Sequence, residues 1–110
     1  MADINTVTIS GRLGDNPQMK YFESGSKCVT ISIGVNKWSK KQEKEVVTWH
    51  TAKAWGNKAE FIGEVAKKGA LACLQGTLEK DVFKDEQTGK DIAKTYILIN
   101  EIKISNKKED

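Results

Sequence analysis

The chain has 110 residues, of which 38% are apolar and 30% charged, a balance typical of one folded domain. Two cysteines and one histidine exclude a disulfide framework and a four-ligand zinc site, and no apolar run is long enough to span a membrane. The net charge is +3, and Arg12 is the one arginine among 18 basic residues. A basic surface made almost entirely of lysine favours non-specific electrostatic attraction to a polyanion over the recognition of base edges, for which arginine is the usual residue. Lysines also keep a protein surface soluble.

The segments that resemble strands share an alternation of apolar and polar residues or an enrichment in branched and aromatic residues. They are residues 4–13, a short piece at 19–22, and then 29–35, 46–55, 70–78 and 93–104. Two polar stretches between them, 36–45 and 79–90, are predicted to be loops. In the strand over 46–55, Trp49 and Trp55 share one face with Lys53, and His50 lies on the other face.

One helix is predicted over Lys58–Lys68, where apolar residues recur at spacings of three and four. Asn57 is its expected N-cap, and Lys67-Lys68-Gly69 is its expected C-terminal signature. The order of elements predicts an all-β fold with one helix, the OB-fold, a five-stranded Greek-key barrel with the helix between strands 3 and 4. Residues 1–105 are predicted to form this domain, followed by a short polar end at 106–110.

No combination of residues in the sequence suggests catalysis. His50 is the sole imidazole, and there is no glycine-rich loop of the kind that cradles phosphate. We therefore expect no enzyme, no metal and no cofactor. His50 is interpreted as a hydrogen-bonding or interface residue, and Cys28 and Cys73 as buried, inert thiols.

Aromatic residues interleaved with lysines are the strongest functional signal. Trp38 and Phe83 lie in the two predicted polar loops, and Trp49 and Trp55 flank Lys53 on a strand face. Unpaired bases stack on aromatic rings, and the phosphates between them attract cations, so the pattern points to single-stranded nucleic acid. The alternative is that these rings fill the core or pack back onto it.

Short motifs follow one another along residues 5–104. They are Asn5-Thr6-Val7, Gly11-Arg12-Leu13-Gly14, Trp49-His50, Gly56-Asn57-Lys58-Ala59-Glu60, Gln75-Gly76-Thr77-Leu78 and the DEQTGKD run at 85–91. In this order they resemble the bacterial-type single-stranded DNA-binding proteins, and the run at 20–26 is most similar to the cyanobacterial or plastid branch. The resemblance implies a homotetramer of OB-folds without cofactor or catalysis. Single-stranded DNA would wrap around it, without strong sequence specificity, during replication, recombination and repair.

The resemblance also implies roles for individual residues. The family's base-stacking aromatics match Trp38, Trp49, Trp55 and Phe83, and its subunit contact matches His50. Its phosphate contacts match Lys20, Lys41, Lys44, Lys67 and Lys68. Two departures suggest a lower affinity or salt dependence. The family's basic residues before the last aromatic are replaced here by Glu79-Lys80-Asp81-Val82. Thr51 replaces another basic residue, for which Lys53 partly compensates.

The chain ends at Lys107-Lys108-Glu109-Asp110, whereas family members carry a long tail with an acidic tip. Either the tail was removed or this is a naturally short form, and in both cases the expectation is a chain that recruits tail-dependent protein partners weakly and does not bind membranes. The protein is expected in the cytoplasm, associated with the nucleoid. The alternatives are the plastid stroma, or a bacterial host in which a phage or plasmid encodes the protein. Two other functions stay open: an OB-fold RNA-binding or primosome adaptor, and a barrel whose exposed aromatics bind protein.

Overall fold

A computed structural model describes residues 3–106; residues 107–110 of the predicted polar end lie outside the described part. The described chain contains six strands and one helix. The strands are β1 (Val7–Leu13), β2 (Gln18–Tyr21), β3 (Lys27–Ser39), β4 (Lys44–Trp55), β5 (Leu71–Lys84) and β6 (Asp91–Ser105). The helix is α1 (Asn57–Val65) and lies between β4 and β5.

Five of the strands close a barrel. The sheet runs in the order β1–β5–β6–β4–β3, and β1 also pairs with β3, with Arg12 opposite Gly34. Neighbouring strands are antiparallel except β4 and β6, which are parallel. This is the predicted OB-fold, with α1 between the third and fourth barrel strands. β2, the short extended piece of the prediction, is an additional strand paired with the start of β3.

The predicted alternation places small and branched side chains inside the barrel. Val29 and Ile31 of β3 lie opposite Ala54 and Ala52 of β4, and all four are buried. α1 packs the buried Ile62 onto the same core. Burial of each branched side chain contributes about 1.5–3 kcal/mol, so this core is a main source of stability.

At least half of each predicted loop is strand. β3 continues to Ser39 and β4 begins at Lys44, so Trp38 belongs to a β-hairpin and not to a loop. Likewise β5 continues to Lys84, which places Phe83 in a strand. The prediction was wrong because these ends carry mostly exposed residues and show no apolar alternation. Cross-strand backbone hydrogen bonds keep them extended instead.

Both helix ends differ from the prediction: the helix begins one residue earlier, at Asn57, and stops before the predicted end at Lys68. Its N-cap is Gly56 and not Asn57, because the backbone turns there with a φ of 68°, a conformation that glycine adopts without strain. It ends at Val65, so Lys67 and Lys68 lie in the turn that follows and not on the last helical turn. Among residues 3–106, no helix is long and apolar enough to cross a membrane.

The two cysteines differ in burial. Cys28 is buried, as predicted, and burial raises the pKa of its thiol. Cys73 is exposed, so the prediction of a buried thiol was wrong there. Its neighbours Ala72 and Leu74 face the core, and alternation along β5 turns Cys73 outward.

Candidate nucleic-acid interface

The four aromatic residues singled out by sequence all lie on the outer surface. Trp38 is 59% exposed, Trp49 55%, Trp55 48% and Phe83 43%. None of them fills the core, because each occupies the outward position of its strand. Tyr96 of β6 lies on the same side of the sheet. We call the surface that carries Trp38, Trp49, Trp55, Phe83 and Tyr96 the aromatic face.

Trp49 lies against two glycines. Gly34 is its cross-strand partner on β3, and Gly14 follows β1. A Cβ atom would come within 2.8 Å of the indole at Gly34 and within 2.4 Å at Gly14. Only glycine permits an approach this close, so the two positions hold the indole against the backbone and leave its other side open.

Trp55 is supported by a second ring, that of Phe22. Their centroids are 5.6 Å apart and their planes differ by 24°. The ammonium of Lys20 lies 5.2 Å from the Phe22 centroid, so the fold brings Lys20 close to Trp55. Phe22 was missed by the sequence analysis. Its signal was its spacing, two residues after Lys20 at the end of an extended segment.

Phe83 lies near the end of the β5–β6 hairpin, beside a lysine that the sequence analysis also missed. The Lys94 ammonium is 5.7 Å from the Phe83 centroid. Phe83 is paired with Ile92, two residues before Lys94, so the contact is a diagonal one across the sheet. Their spacing of two residues placed Lys94 and Tyr96 on one face of β6. The register of β6 against β5, which brings Lys94 to Phe83, could not be read from the sequence.

Lys53 is held by two groups of the aromatic face. Its Nζ lies 3.1 Å from Oδ2 of Asp81 and 4.7 Å from the Tyr96 ring centroid. The Lys53 side chain is 28% exposed. This lysine is therefore engaged with a carboxylate on the surface where a phosphate contact was predicted.

Trp38 shares the tip of the β3–β4 hairpin with two of the predicted lysines. Lys44 is the first residue of β4, and Lys41 lies in the exposed turn before it. Trp38 is four residues beyond Gly34, the partner of Trp49, or about 13 Å along the strand. The hairpin thus places an exposed indole and exposed ammonium groups together, away from the barrel.

Lys67 and Lys68 lie in the turn after α1. The backbone N–H of Lys68 donates to Oδ1 of Asn16 at 2.8 Å, which fixes the turn beside the chain that leaves β1. Gly14, in that same chain, contacts Trp49. The two exposed lysines therefore belong to a turn that is tied to the chain segment in contact with Trp49.

The model of the Single-strand binding protein family matches residues 4–105. The chain belongs to this family. The resemblance seen in the sequence motifs is thereby confirmed.

Proteins similar to this member of the single-strand binding family include several from cyanobacteria. Single-stranded DNA-binding protein 1 of Nostoc sp. strain PCC 7120 is 36% identical over 107 residues, which cover 97% of this chain and 87% of that protein. Single-stranded DNA-binding protein 2 of the same strain is 37% identical over 109 residues, covering 97% and 84%. Single-stranded DNA-binding protein 1 of Synechocystis sp. strain PCC 6803 is 34% identical over 107 residues, covering 97% and 88%.

His50 lies outside the aromatic face of this single-strand binding family member. It is half-buried, opposite Ile33, on the side of β4 away from Trp49, as the sequence predicted. Within residues 3–106 no three His, Cys, Asp or Glu side chains are grouped so that they could hold a metal ion.

Proposed function

We propose that the chain binds single-stranded DNA without strong sequence specificity, by stacking bases on the aromatic face and contacting phosphates with lysines. The observation that carries this proposal is the exposure of four large aromatic rings on one surface, where lysine ammonium groups lie against Phe83, Tyr96 and the Phe22 ring that stacks on Trp55. Every base has a π-face, so stacking contributes about 1–3 kcal/mol per base with little regard to sequence. Membership of the family and the names of the relatives support DNA as the partner.

The roles proposed for individual residues follow from this surface. Trp38, Trp49, Trp55 and Phe83 stack bases, and residues 1–105 form the DNA-binding domain. The proposed phosphate contacts are Lys20, Lys41, Lys44, Lys53, Lys67 and Lys68. They are distributed along the aromatic face and at its edges, so a strand crossing the face would meet rings and cations in turn.

We also infer the biological setting from the family. The protein protects exposed strands during replication, recombination and repair, in the cytoplasm with the nucleoid, and catalyses no reaction. It acts as a homotetramer in which His50 lies at a subunit contact. The position of His50, away from the aromatic face, leaves that face free for DNA in such an assembly.

A fluorescence titration tests the proposal. Oligo-thymidylate is expected to quench the tryptophan emission of the chain strongly at low salt, and duplex DNA of equal length to quench it little, because only unpaired bases can stack on the indoles. Quenching by both to the same extent, or by neither, would contradict single-strand binding. Oligo-uridylate is the further comparison: a clear preference for it over oligo-thymidylate would favour the RNA-binding alternative.

A further inference from the structure

The ion pair between Lys53 and Asp81 lies within the aromatic face. Lys53 comes from β4 and Asp81 from β5, and both point outward, into a groove that Tyr96, Phe83 and Lys94 also line. Asp81 is two residues before Phe83, on the same side of β5, or about 7 Å away. A base stacked on Phe83 would therefore bring its phosphate close to a carboxylate as well as to lysines.

The surroundings of Lys53 hold its ammonium in place. The Tyr96 ring lies 4.7 Å from Nζ and the Asp81 carboxylate 3.1 Å from it, and less than a third of the lysine side chain is exposed. A phosphate can reach this ammonium only by displacing the carboxylate or by approaching close to its negative charge. Exposed ion pairs of this kind are weak, so a phosphate can displace the carboxylate from Lys53. The free energy lost with the ion pair is then subtracted from the free energy of DNA binding.

Lys94 in the same groove provides a contrast. Its ammonium lies over the Phe83 ring, and among residues 3–106 it forms no ion pair. The groove therefore has one cation engaged with a carboxylate and one that is not. Replacing Asp81 by a neutral isostere would convert the first into the second without changing the shape of the groove.

We propose that Asp81 is an internal counterion that competes with nucleic-acid phosphate for Lys53, and so lowers the affinity and the salt dependence of DNA binding. This inference rests on the proposed function. Its physical basis is that one ammonium cannot fully neutralise a carboxylate and a phosphate at the same time. Asp81 is thus a residue that tunes affinity, acting through Lys53 and through repulsion of phosphate.

The variant Asp81→Asn tests this in the full chain, by titration with oligo-thymidylate at several salt concentrations. We expect about three- to tenfold tighter binding at low salt, and a slope of log affinity against log salt that is steeper by about 0.7, the value of one added phosphate contact to a single strand. Glu101→Gln is the matched control. It removes the same charge from an exposed position of β6 outside the aromatic face, and its affinity should change less than twofold.

A double-variant cycle identifies Lys53 as the group released. The loss of affinity on Lys53→Gln should be larger in the Asp81→Asn chain than in the chain with Asp81. Thermal unfolding verifies that each variant folds, and Asp81→Ser replaces Asp81→Asn should the latter unfold. Equal affinities and slopes for the Asp81 and Glu101 variants would overturn the counterion role and leave the proposed function intact. Failure of the unchanged chain to bind oligo-thymidylate would instead remove the proposed function and this inference with it.

Discussion

At the scale of single residues, the two cysteines lie in different chemical environments. Burial raises the pKa of Cys28, and Lys53 and Lys20 lower it by less, so the reactive thiolate of Cys28 is disfavoured in the fold. Cys73 is exposed on β5. With a colorimetric disulfide reagent at neutral pH, one thiol per chain should react rapidly and the second only on unfolding. Cys73→Ser should abolish the rapid phase, and two rapid thiols per chain would contradict this description.

The support that Phe22 gives to Trp55 leads to a second prediction. Aromatic pairs contribute about 0.5–1.5 kcal/mol beyond their buried area, so Phe22→Leu should leave Trp55 less firmly held. The affinity for oligo-thymidylate should fall by a comparable free energy, measured by fluorescence titration. Tyr21→Leu is the control, since Tyr21 is 69% exposed and stacks on no ring among residues 3–106. Equal losses for the two variants would contradict a specific role for Phe22.

At the scale of the elements, β1 closes the barrel by passing very close to β3. A Cβ atom at Gly11 would lie 2.2 Å from the carbonyl oxygen of Gly34, and that carbonyl belongs to backbone that cannot swing aside. Gly11→Ala should therefore cost about 1–3 kcal/mol in the free energy of unfolding, measured by urea denaturation. Ser10→Ala, at the neighbouring outward position, should change it by no more than about 0.5 kcal/mol. A Gly11 variant as stable as the Ser10 variant would contradict the close approach.

The barrel strands could be predicted from the sequence, and the hairpin ends could not, for one physical reason. Where one side of a strand is buried, as from Val29 to Ile33, apolar and polar residues must alternate, and the alternation is visible in the sequence. At the tip of the β3–β4 hairpin most residues are exposed, so nothing selects apolar residues at alternate positions. The strand persists there through pairing with its neighbour, which leaves no mark in the composition.

The helix ends were mispredicted for a different reason. Asn57 and Lys67-Lys68-Gly69 have the residue types of helix caps, but the chain uses a turn at Gly56 to enter the helix and leaves it at Ala66. The extended conformation of Ala66 lets the following turn dock against Asn16, a tertiary contact that local propensity does not contain. This contact ties the turn that carries the two lysines to the segment after β1, which also contacts Trp49.

At the scale of the whole molecule, the candidate site was predicted in part. The four aromatics could be found because a large aromatic ring among lysines, with no core around it in the sequence, needs a reason to be there. Phe22, Lys94 and Tyr96 were missed because their relation to these rings depends on strand register. The pairing of Lys53 with Asp81 joins residues 28 positions apart. The sequence showed that acidic residues precede Phe83, but it did not show that Asp81 pairs with Lys53.

The net charge of +3 is small, so local contacts rather than long-range attraction should govern DNA binding. Five of the proposed phosphate lysines form no ion pair among the described residues: Lys20, Lys41, Lys44, Lys67 and Lys68. At about 0.7 per phosphate, log affinity for oligo-thymidylate should fall against log salt with a slope no steeper than about 3.5 per chain.

Stacking should remain when salt has screened the phosphate contacts, because the attraction between a base and an indole involves no net charge. Residual binding at high salt should therefore fall by about 1–3 kcal/mol in each of Trp49→Leu and Trp55→Leu, measured by fluorescence anisotropy of a labelled oligo-thymidylate. Phe61→Leu is the matched control, since Phe61 is an exposed aromatic on α1, outside the aromatic face. Complete loss of binding at high salt would contradict stacking. A slope of log affinity against log salt near zero would contradict the lysine contacts. Stacking and phosphate contacts can therefore be tested separately on the same protein.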